Sequence, residues 1–593
     1  MTLALLVFAG FAFAESPELP AAAPPADAPP ADAPVEGASA SAAATAAPPA
    51  IFAGVHGTED LRVRYWHVPE KLTNFEDRDI LDYVEVVNRL DLSGGNERVG
   101  VGVRMDAVGL FANQYILDGV LTDERALLGA GLESPFDSAY IDIEKVWAEY
   151  RTPDVTFTIG DSYLSFGRGM ALNLVKNTDI DVDTSVRGVR AAAHLGDWDL
   201  TVASGTTNPQ QVALENPNLS IQPDTAHAVT GLRVDRYGLG PLNVGAHGVL
   251  VQYSRSRVPG QDGWGAYGHP VDAWVAGASA EALGVAGLDL FAEADIYGYE
   301  AEEIATELGH ALYASAAAYP GKASILVELR RSKDTEWINS FSDGYEIASG
   351  PTLEYERVVT EDSAAAVNSN DITGGRARVD LRLGDTSKAI TFVPYASVAV
   401  FRDADLGGLH FNRAPETIVH PVVGVQYLLH DLHLLANAGQ RVDIRDDFEG
   451  SAQGADSLLH LDADLSFHVS DTVSIELAPA LLRFQWGENE QQQHDFTDFS
   501  NAVAVKVGAP WAFILYTDYS DNPLIRSTGN LEGLLGESGE NLYGALEVQW
   551  MPSSSMTLKA FYGAYRAGIR CAGGQCRSLP GFEGAKVSLS SAF

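Results

Sequence analysis

The sequence is short of several things at once. Two cysteines in 593 residues cannot staple a chain of this length. Lys and Arg number 39 against 80 Asp and Glu, leaving a net charge of -41. Phosphate repels such a surface, which excludes nucleic acid as a partner. No run reaches the ~18–20 apolar residues of a membrane-spanning helix. H-E-x-x-H, a Walker loop and a dinucleotide-binding fingerprint are all missing, so the chain reads as a non-enzyme. What is present is 46% hydrophobic residues, the content of a folded chain, at a mean hydropathy near zero. Length alone allows roughly four domains of ~150 residues, or one very large β-structure.

The first fifty residues stand apart. Residues 1–14, MTLALLVFAGFAFA, are almost wholly apolar and end in Ala12-Phe13-Ala14, an A-x-A-type cleavage site. They read as a secretory signal, although the usual basic residue before the apolar run is missing. Residues 15–50 are Pro, Ala, Ser and acid with no Lys or Arg. Such a stretch buries too little apolar surface to offset its ordering entropy, so the expectation is a disordered periplasmic spacer. It holds five acids, Glu15, Glu18, Asp27, Asp32 and Glu36, so most of the charge belongs to residues 51–593.

From about residue 55 the chain alternates. Val99, Val101, Val103 and Met105 share one face, and Arg98, Gly100, Gly102, Arg104 and Asp106 the other. Ala377, Val379 and Leu381 oppose Arg376, Arg378, Asp380 and Arg382; Leu459, Leu461, Ala463 and Leu465 oppose His460, Asp462 and Asp464. A period of two is the strand period. These segments run ~10–13 residues, near the ~9–11 that a tilted strand needs to cross a bilayer. Tight turns, such as Gly240-Pro241 and Ala509-Pro510, alternate with long polar loops, such as 257–270 and 522–540. Short turns on one side and long loops on the other describe an outer-membrane barrel. Trp66, Trp147, Trp198, Trp486, Trp511 and Trp550 fall near strand ends, where interfacial girdles sit.

The expected fold is therefore all-β: a single large antiparallel transmembrane β-barrel without a separate plug domain. About 26 segments qualify as strands. Strict alternation of turns and loops fails near 163–185 and 334–370; with one false strand in each, the number becomes 24, within a range of 22–26. Those two regions are then excursions over or into the lumen.

Few clusters suggest chemistry. Gly160-Asp161-Ser162-x-Leu164 mimics a hydrolase nucleophile motif, but it ends a strand and lacks the scaffold that would orient a His and an acid. Asp179, Asp181 and Asp183 form a D-x-D-x-D that offers carboxylates to Ca2+, without the Gly and distal Glu of a calcium loop. The alternative is a polar loop paired with Arg168, Arg187 or Arg190. No cofactor is otherwise expected. Cys571 and Cys576 in RCAGGQCR read as a loop disulfide in an oxidising compartment.

The runs GDSYLSFGRGMALNL and DTSVRGVR, SGPTLEYE at 349–356 and CAGGQCRSLPGFEG resemble, in that order, a family of Gram-negative outer-membrane barrels with no established activity. The terminal Phe593 resembles the C-terminal signal read by the barrel-assembly machinery. The resemblance implies fold and an outer-membrane location, and no function; the even strand number goes with both chain ends, the N-terminus included, on the periplasmic side.

Two functional expectations follow. One is a porin-like channel for small solutes. Its lumen candidates are Arg98, Arg104, Asp106, Glu328, Arg330, Arg376, Arg378, Asp380, Arg382, Asp462 and Asp464. Its constriction candidates are Tyr163, Arg168, Asp183 and Arg187. These charges either tune permeation or simply pair with one another. The other is a non-transport anchor or surface-binding protein. It would touch lipid and lipopolysaccharide through acidic loops and an envelope partner through residues 15–50.

Overall fold

The computed structural model describes residues 54–66, 83–112, 138–177, 182–210, 227–252, 270–301, 308–333, 335, 372–385, 390–403, 416–445, 455–486, 494–522, 541–566, 568–572, 575–579 and 582–593. The expected signal segment 1–14 and spacer 15–50 lie outside these residues. So do Asp179, Asp181 and, apart from Thr335, the 334–370 region.

The spanning strands are β1 (Val55–Trp66), β2 (Tyr83–Gly95), β3 (Val99–Ala112), β4 (Ser138–Arg151), β5 (Val155–Ser162), β6 (Val182–Leu195), β7 (Trp198–Pro209) and β8 (Ala228–Leu239). They continue with β9 (Leu242–Gln252), β10 (Pro270–Val285), β11 (Leu288–Ala301), β12 (Leu308–Ala318), β13 (Ala323–Lys333), β14 (Ile372–Leu381), β15 (Ile390–Asp403) and β16 (Glu416–Leu429). The last eight are β17 (Leu432–Arg445), β18 (Ala455–Ser470), β19 (Val473–Trp486), β20 (His494–Val507), β21 (Trp511–Ser520), β22 (Leu542–Ser553), β23 (Met556–Tyr565) and β24 (Phe582–Ala592). The main sheet has 26 segments, of which Lys176–Asn177 and Leu383–Asp385 are short extensions, leaving 24 strands.

Every neighbouring pair is antiparallel, and the sheet closes on itself: β1 pairs with β24 from Thr58↔Ala592 to Trp66↔Gly584. The closure is completed by Gly57 and Phe593, which exchange backbone hydrogen bonds of 2.7 and 2.8 Å. Gly57 is needed there because the Phe593 ring occupies the space of a Cβ. Closure leaves the sheet no free end strand, so backbone groups are paired within the wall except along the Ser138–Val146 side of β4.

Connections alternate without exception. From β2 to β3, β4 to β5, and so on to β22 to β23, each takes two to four residues once the Leu383–Asp385 extension is included in β14; the intervening ones take six to 38. The expected parity of 24 holds for this reason. Sequence reading misses two of these turns, the one between β14 and β15 and the one between β10 and β11. Ala286 and Gly287 carry φ of 54° and 81° there, the two positive values of a type I′ hairpin. Alanine seldom marks such a turn, so the 270–301 hairpin does not announce itself.

The polarity pattern is that of a membrane barrel. Leu459 and Leu461 of β18 are each 51% exposed, while His460 between them is 1% exposed. Large apolar side chains such as Val423, Leu515 and Leu546 face outward in the same way, and inner-face Phe401 and Phe561 are buried. Trp66, Trp198, Trp486 and Trp511 stand at strand termini, and Trp511 stacks on Trp550 at 6.1 Å. Trp147 departs from the expected girdle: it lies on the inner face of β4, over Gly100 and Gly102 of β3.

In the last long connection, Gly568–Ala572 and Gln575–Leu579 form a two-stranded hairpin that sets Cys571 opposite Cys576. Cross-strand Cα spacings of ~4.5–5.5 Å fall within the disulfide range. Neither cysteine of the folded protein should therefore react with iodoacetamide until a reductant is added. On the walls, Leu461→Lys puts a charge toward lipid and should cost about 2–4 kcal/mol near the midplane. Ser466→Lys, on the inner face of the same strand, should leave the urea midpoint of the refolded barrel nearly unchanged. Equal losses from the two would contradict the assignment of faces.

Candidate functional site

Among the described residues, a buried polar cluster forms where β5 stops short. Along β5 only five residues, Thr156–Gly160, pair with β4, so the Ser138–Val146 part of β4 has no strand on that side. Side chains take the place of the absent backbone. Val146 N donates to Asp161 Oδ2 at 2.7 Å, Asn208 Nδ2 donates to Glu144 O at 2.7 Å, and Arg187 Nη2 donates to Glu144 O at 2.8 Å. In a bilayer wall these groups would otherwise go unpaired, at several kcal/mol each.

A bulge in β4 serves the same region. Arg104↔Lys145 and Asp106↔Asp142 bracket one extra residue on β4, which brings both Glu144 and Lys145 into the buried layer. Lys145 Nζ donates to Ser185 Oγ at 3.1 Å and to Asn208 O. Arg104 donates to Asp106 and, at 2.7 Å, to Asp183 Oδ2. Tyr163 OH donates to Asp183 Oδ1 at 2.8 Å. Burial and this carboxylate hold the Tyr163 hydroxyl well above the ordinary phenol value, so it stays a donor.

From Tyr163 the chain leaves the wall. Leu164–Phe166 and Leu172–Leu174 form a small hairpin, paired Leu164↔Leu174. Leu164, Phe166, Leu172 and Leu174 are buried against inward residues of β8 to β12, among them Val229, Val249, Val275, Tyr297 and Tyr313. Burial of each such side chain contributes about 1.5–3 kcal/mol. Polar contacts fix the register: Tyr297 OH donates to Met170 O at 3.0 Å, and Arg168 N donates to Glu293 Oε2 at 2.7 Å. The Arg168 guanidinium lies 4.3 Å above the Phe291 ring. Gly231 leaves room for the Phe166 ring, and Gly167 sits at φ 61° against Glu293.

Of the expected constriction residues, Tyr163 and Asp183 meet in one network and Arg168 anchors the insert. Arg187 does not belong with them. It pairs in register with Asp161 and shares its face with the exposed Ile159 and Val189, so it seals the wall from the outer side. With both oxygens bonded to Arg104 and Tyr163, Asp183 is committed to the wall network. Ser162 ends β5 opposite Val186.

The lumen candidates divide similarly. Glu328 accepts from Tyr313 OH and Arg376 Nε, both at 2.7 Å. Arg330 is buried two residues further along β13. Arg378 bonds Asp380 at 2.9 Å and lies 4.0 Å over the Tyr395 ring. Asp462 bonds His460 Nδ1 at 2.9 Å, and His460 Nε2 lies 2.9 Å from His420 Nε2. Asp464 is half-buried on the same face. Arg98 is corrected: it lies in the bend between β2 and β3, exposed, because β2 ends later than the Gly94-Gly95 pair suggests. Arg382 is also exposed, at the break between β14 and its extension, where its backbone N donates to Lys322 O.

Three groupings escaped sequence reading. Lys586 Nζ lies 4.6–5.6 Å from the centroids of Phe561, Tyr565 and Phe582. Arg566 bridges Asp498 and Asp518. His247, Glu293 and Asp295, all buried, bring one side-chain nitrogen and two carboxylates within 4.8 Å of one another. Each depends on cross-strand register, to which a single strand's pattern is blind.

No protein family matches the chain, and no curated protein matches it either. Among solved structures, the siderophore receptor PirA from Pseudomonas aeruginosa is 9% identical, with 91% of this chain and 80% of that chain covered and a TM-score of 0.44. The translocation pore of the P pilus usher PapC is 8% identical over 91% and 99% of the two chains, with a TM-score of 0.38. OpdK from Pseudomonas aeruginosa, solved with vanillate, is 12% identical over 78% and 100%, with a TM-score of 0.34.

The Arg104–Asp183 pair, each side chain 2% exposed, generates a prediction. Asp183→Ala leaves Arg104 and Lys145 short of a counter-charge and should cost about 3–5 kcal/mol in urea unfolding. The Arg104→Met/Asp183→Leu double variant should lose less than the sum of the two single variants. Additive losses would show the pair to be uncoupled.

Proposed function

We propose that the barrel is a porin-like channel for small solutes in the outer membrane of a Gram-negative bacterium, with the short turns and the N-terminus on the periplasmic side. The observation that carries this reading is the size of the closed ring. Twenty-four strands spaced ~4.8 Å apart and tilted ~40° make a backbone radius of about 24 Å. A face of side chains fills about half of the ~10 Å between packed sheets. The wall's own residues therefore leave a wide lumen, which in barrels of this class is either a water path or a plugged one.

Charge supports the same reading. The outer face is apolar and the net charge is -41, so the acids belong to the lumen and the long loops. Inner-face charges mostly pair with one another, as Arg376 does with Glu328 and Arg378 with Asp380, which leaves the excess of acid to set selectivity. That excess favours cations and neutral solutes. The 163–177 insert narrows the lumen on the side of β8 to β12, where it is packed.

Purified barrel reconstituted into planar bilayers should give stepwise conductance. In a potassium chloride gradient the reversal potential should take the sign of cation preference. Folded protein that inserts, as judged by heat-modifiable mobility, yet never conducts would overturn the channel reading.

A further inference from the structure

We propose that His247, Glu293 and Asp295 form a binding site for a divalent metal ion of the zinc class, and that the ion fastens the 163–177 insert to the barrel wall. The inference goes beyond the channel reading and stands whether or not the lumen conducts.

The site is built by register across three strands. His247 of β9 is paired with Gly277 of β10, and Gly277 is paired in turn with Asp295 of β11. Side chains two strands apart do not ordinarily touch, because the residue between them intervenes. Here that residue is glycine, and a Cβ on it would overlap both Asp295 Oδ1 and His247 Nε2. His247 Nε2 thereby lies 2.6 Å from Asp295 Oδ1 and 4.0 Å from Glu293 Oε1. Glu293 is two residues from Asp295 on the same face of β11.

Two oxygens aim into the cluster without a partner. Glu293 is 1% exposed and Asp295 2%, yet Glu293 Oε1 and Asp295 Oδ2 accept no hydrogen bond. Among the described residues no Lys or Arg side chain bonds either carboxylate. Arg233, register partner of His247, is bonded to Asp235. Two buried carboxylates facing one imidazole crowd negative charge away from water, with Arg168 and Arg233 nearby but neither guanidinium bonded to them, and that crowding is costly. A divalent cation bound between them offsets it.

The donor set selects the ion. Imidazole nitrogen favours Zn2+ and its neighbours over Ca2+ and Mg2+, which take oxygen ligands. Zinc bonds to nitrogen and oxygen measure ~2.0–2.2 Å, so tetrahedral ligand atoms stand about 3.3 Å apart. The observed 2.6 and 4.0 Å bracket that spacing, and small side-chain rotations reach it. Glu293 carries the link to the insert: Oε1 faces the ion while Oε2 accepts from Arg168 N at 2.7 Å. Gly167 makes this approach feasible, since a Cβ there would overlap Glu293 Oε1.

The test is zinc binding to the refolded, full-length barrel. Titration calorimetry and elemental analysis should find one Zn2+ per chain, with Ca2+ and Mg2+ failing to displace it. His247→Ala and Asp295→Asn should weaken binding by more than the roughly 10–100-fold that losing an outer-shell partner costs. Gly277→Ala keeps every ligand and inserts only a methyl group between two of them; it should abolish binding while the barrel keeps its heat-modifiable mobility. If these variants fail to fold, zinc-edge absorption of the wild type alone decides, because it should show imidazole scattering. An all-oxygen shell, no bound zinc, or binding unchanged in the three variants would overturn the site.

Discussion

Lipid offers no hydrogen bonds, and the rest of this structure follows from that. A strand in the bilayer needs a neighbour on both sides, so the sheet has to return to its beginning. The last residue, Phe593, bonds the backbone of Gly57, and β24 lies along β1. The number of strands, the alternation of connections and the shared side of both strand ends are consequences of that closure. The same demand explains why Arg187, Asn208 and Asp161 are bonded to backbone groups of β4: where a strand is missing, side chains must do what its peptide groups would have done.

Glycine is the second organising element, through absence of bulk rather than through freedom of the backbone. Gly100 and Gly102 make room for Trp147, Gly231 for Phe166, and Gly277 for the meeting of His247 and Asp295. In a wall where every second residue faces inward, a missing side chain is a vacancy one strand wide. Large groups from adjoining strands or from the insert fill it. The inner surface is thus shaped as much by where side chains are omitted as by where they stand.

Much of the fold was legible in the sequence, because lipid imposes a period of two along every strand. The 24 strands and the two-to-four-residue turns follow from that period and from Gly, Pro and Asp at the turns. The hairpin at Ala286-Gly287 was hidden because alanine holds a position usually left to Gly or Asn. The candidate site was legible only in part. Alternation correctly placed Arg104, Asp106, Glu328 and Arg376 inside, but mis-set Arg98, whose strand begins one residue later. It also missed that Arg187 shares the outer face. Trp147 has the composition of an interface residue and the position of a lumen one. The His247 cluster is invisible along the chain, since its members are separated by 46 and 48 residues and joined only by register.

The five-residue pairing of β4 with β5 is the shortest ladder between neighbouring strands of the described barrel, against 14 for β19 with β20. Its other half is held by ionic and amide side chains rather than by peptide groups. Mechanically the cylinder is not uniform around its circumference. The joint where β1 and β24 meet is an unbroken ladder of nine residue pairs, while this side-chain seam is a line of low tear resistance. Pulled strand by strand, the wall should show its dip in unzipping force there, and not at the place where β1 meets β24.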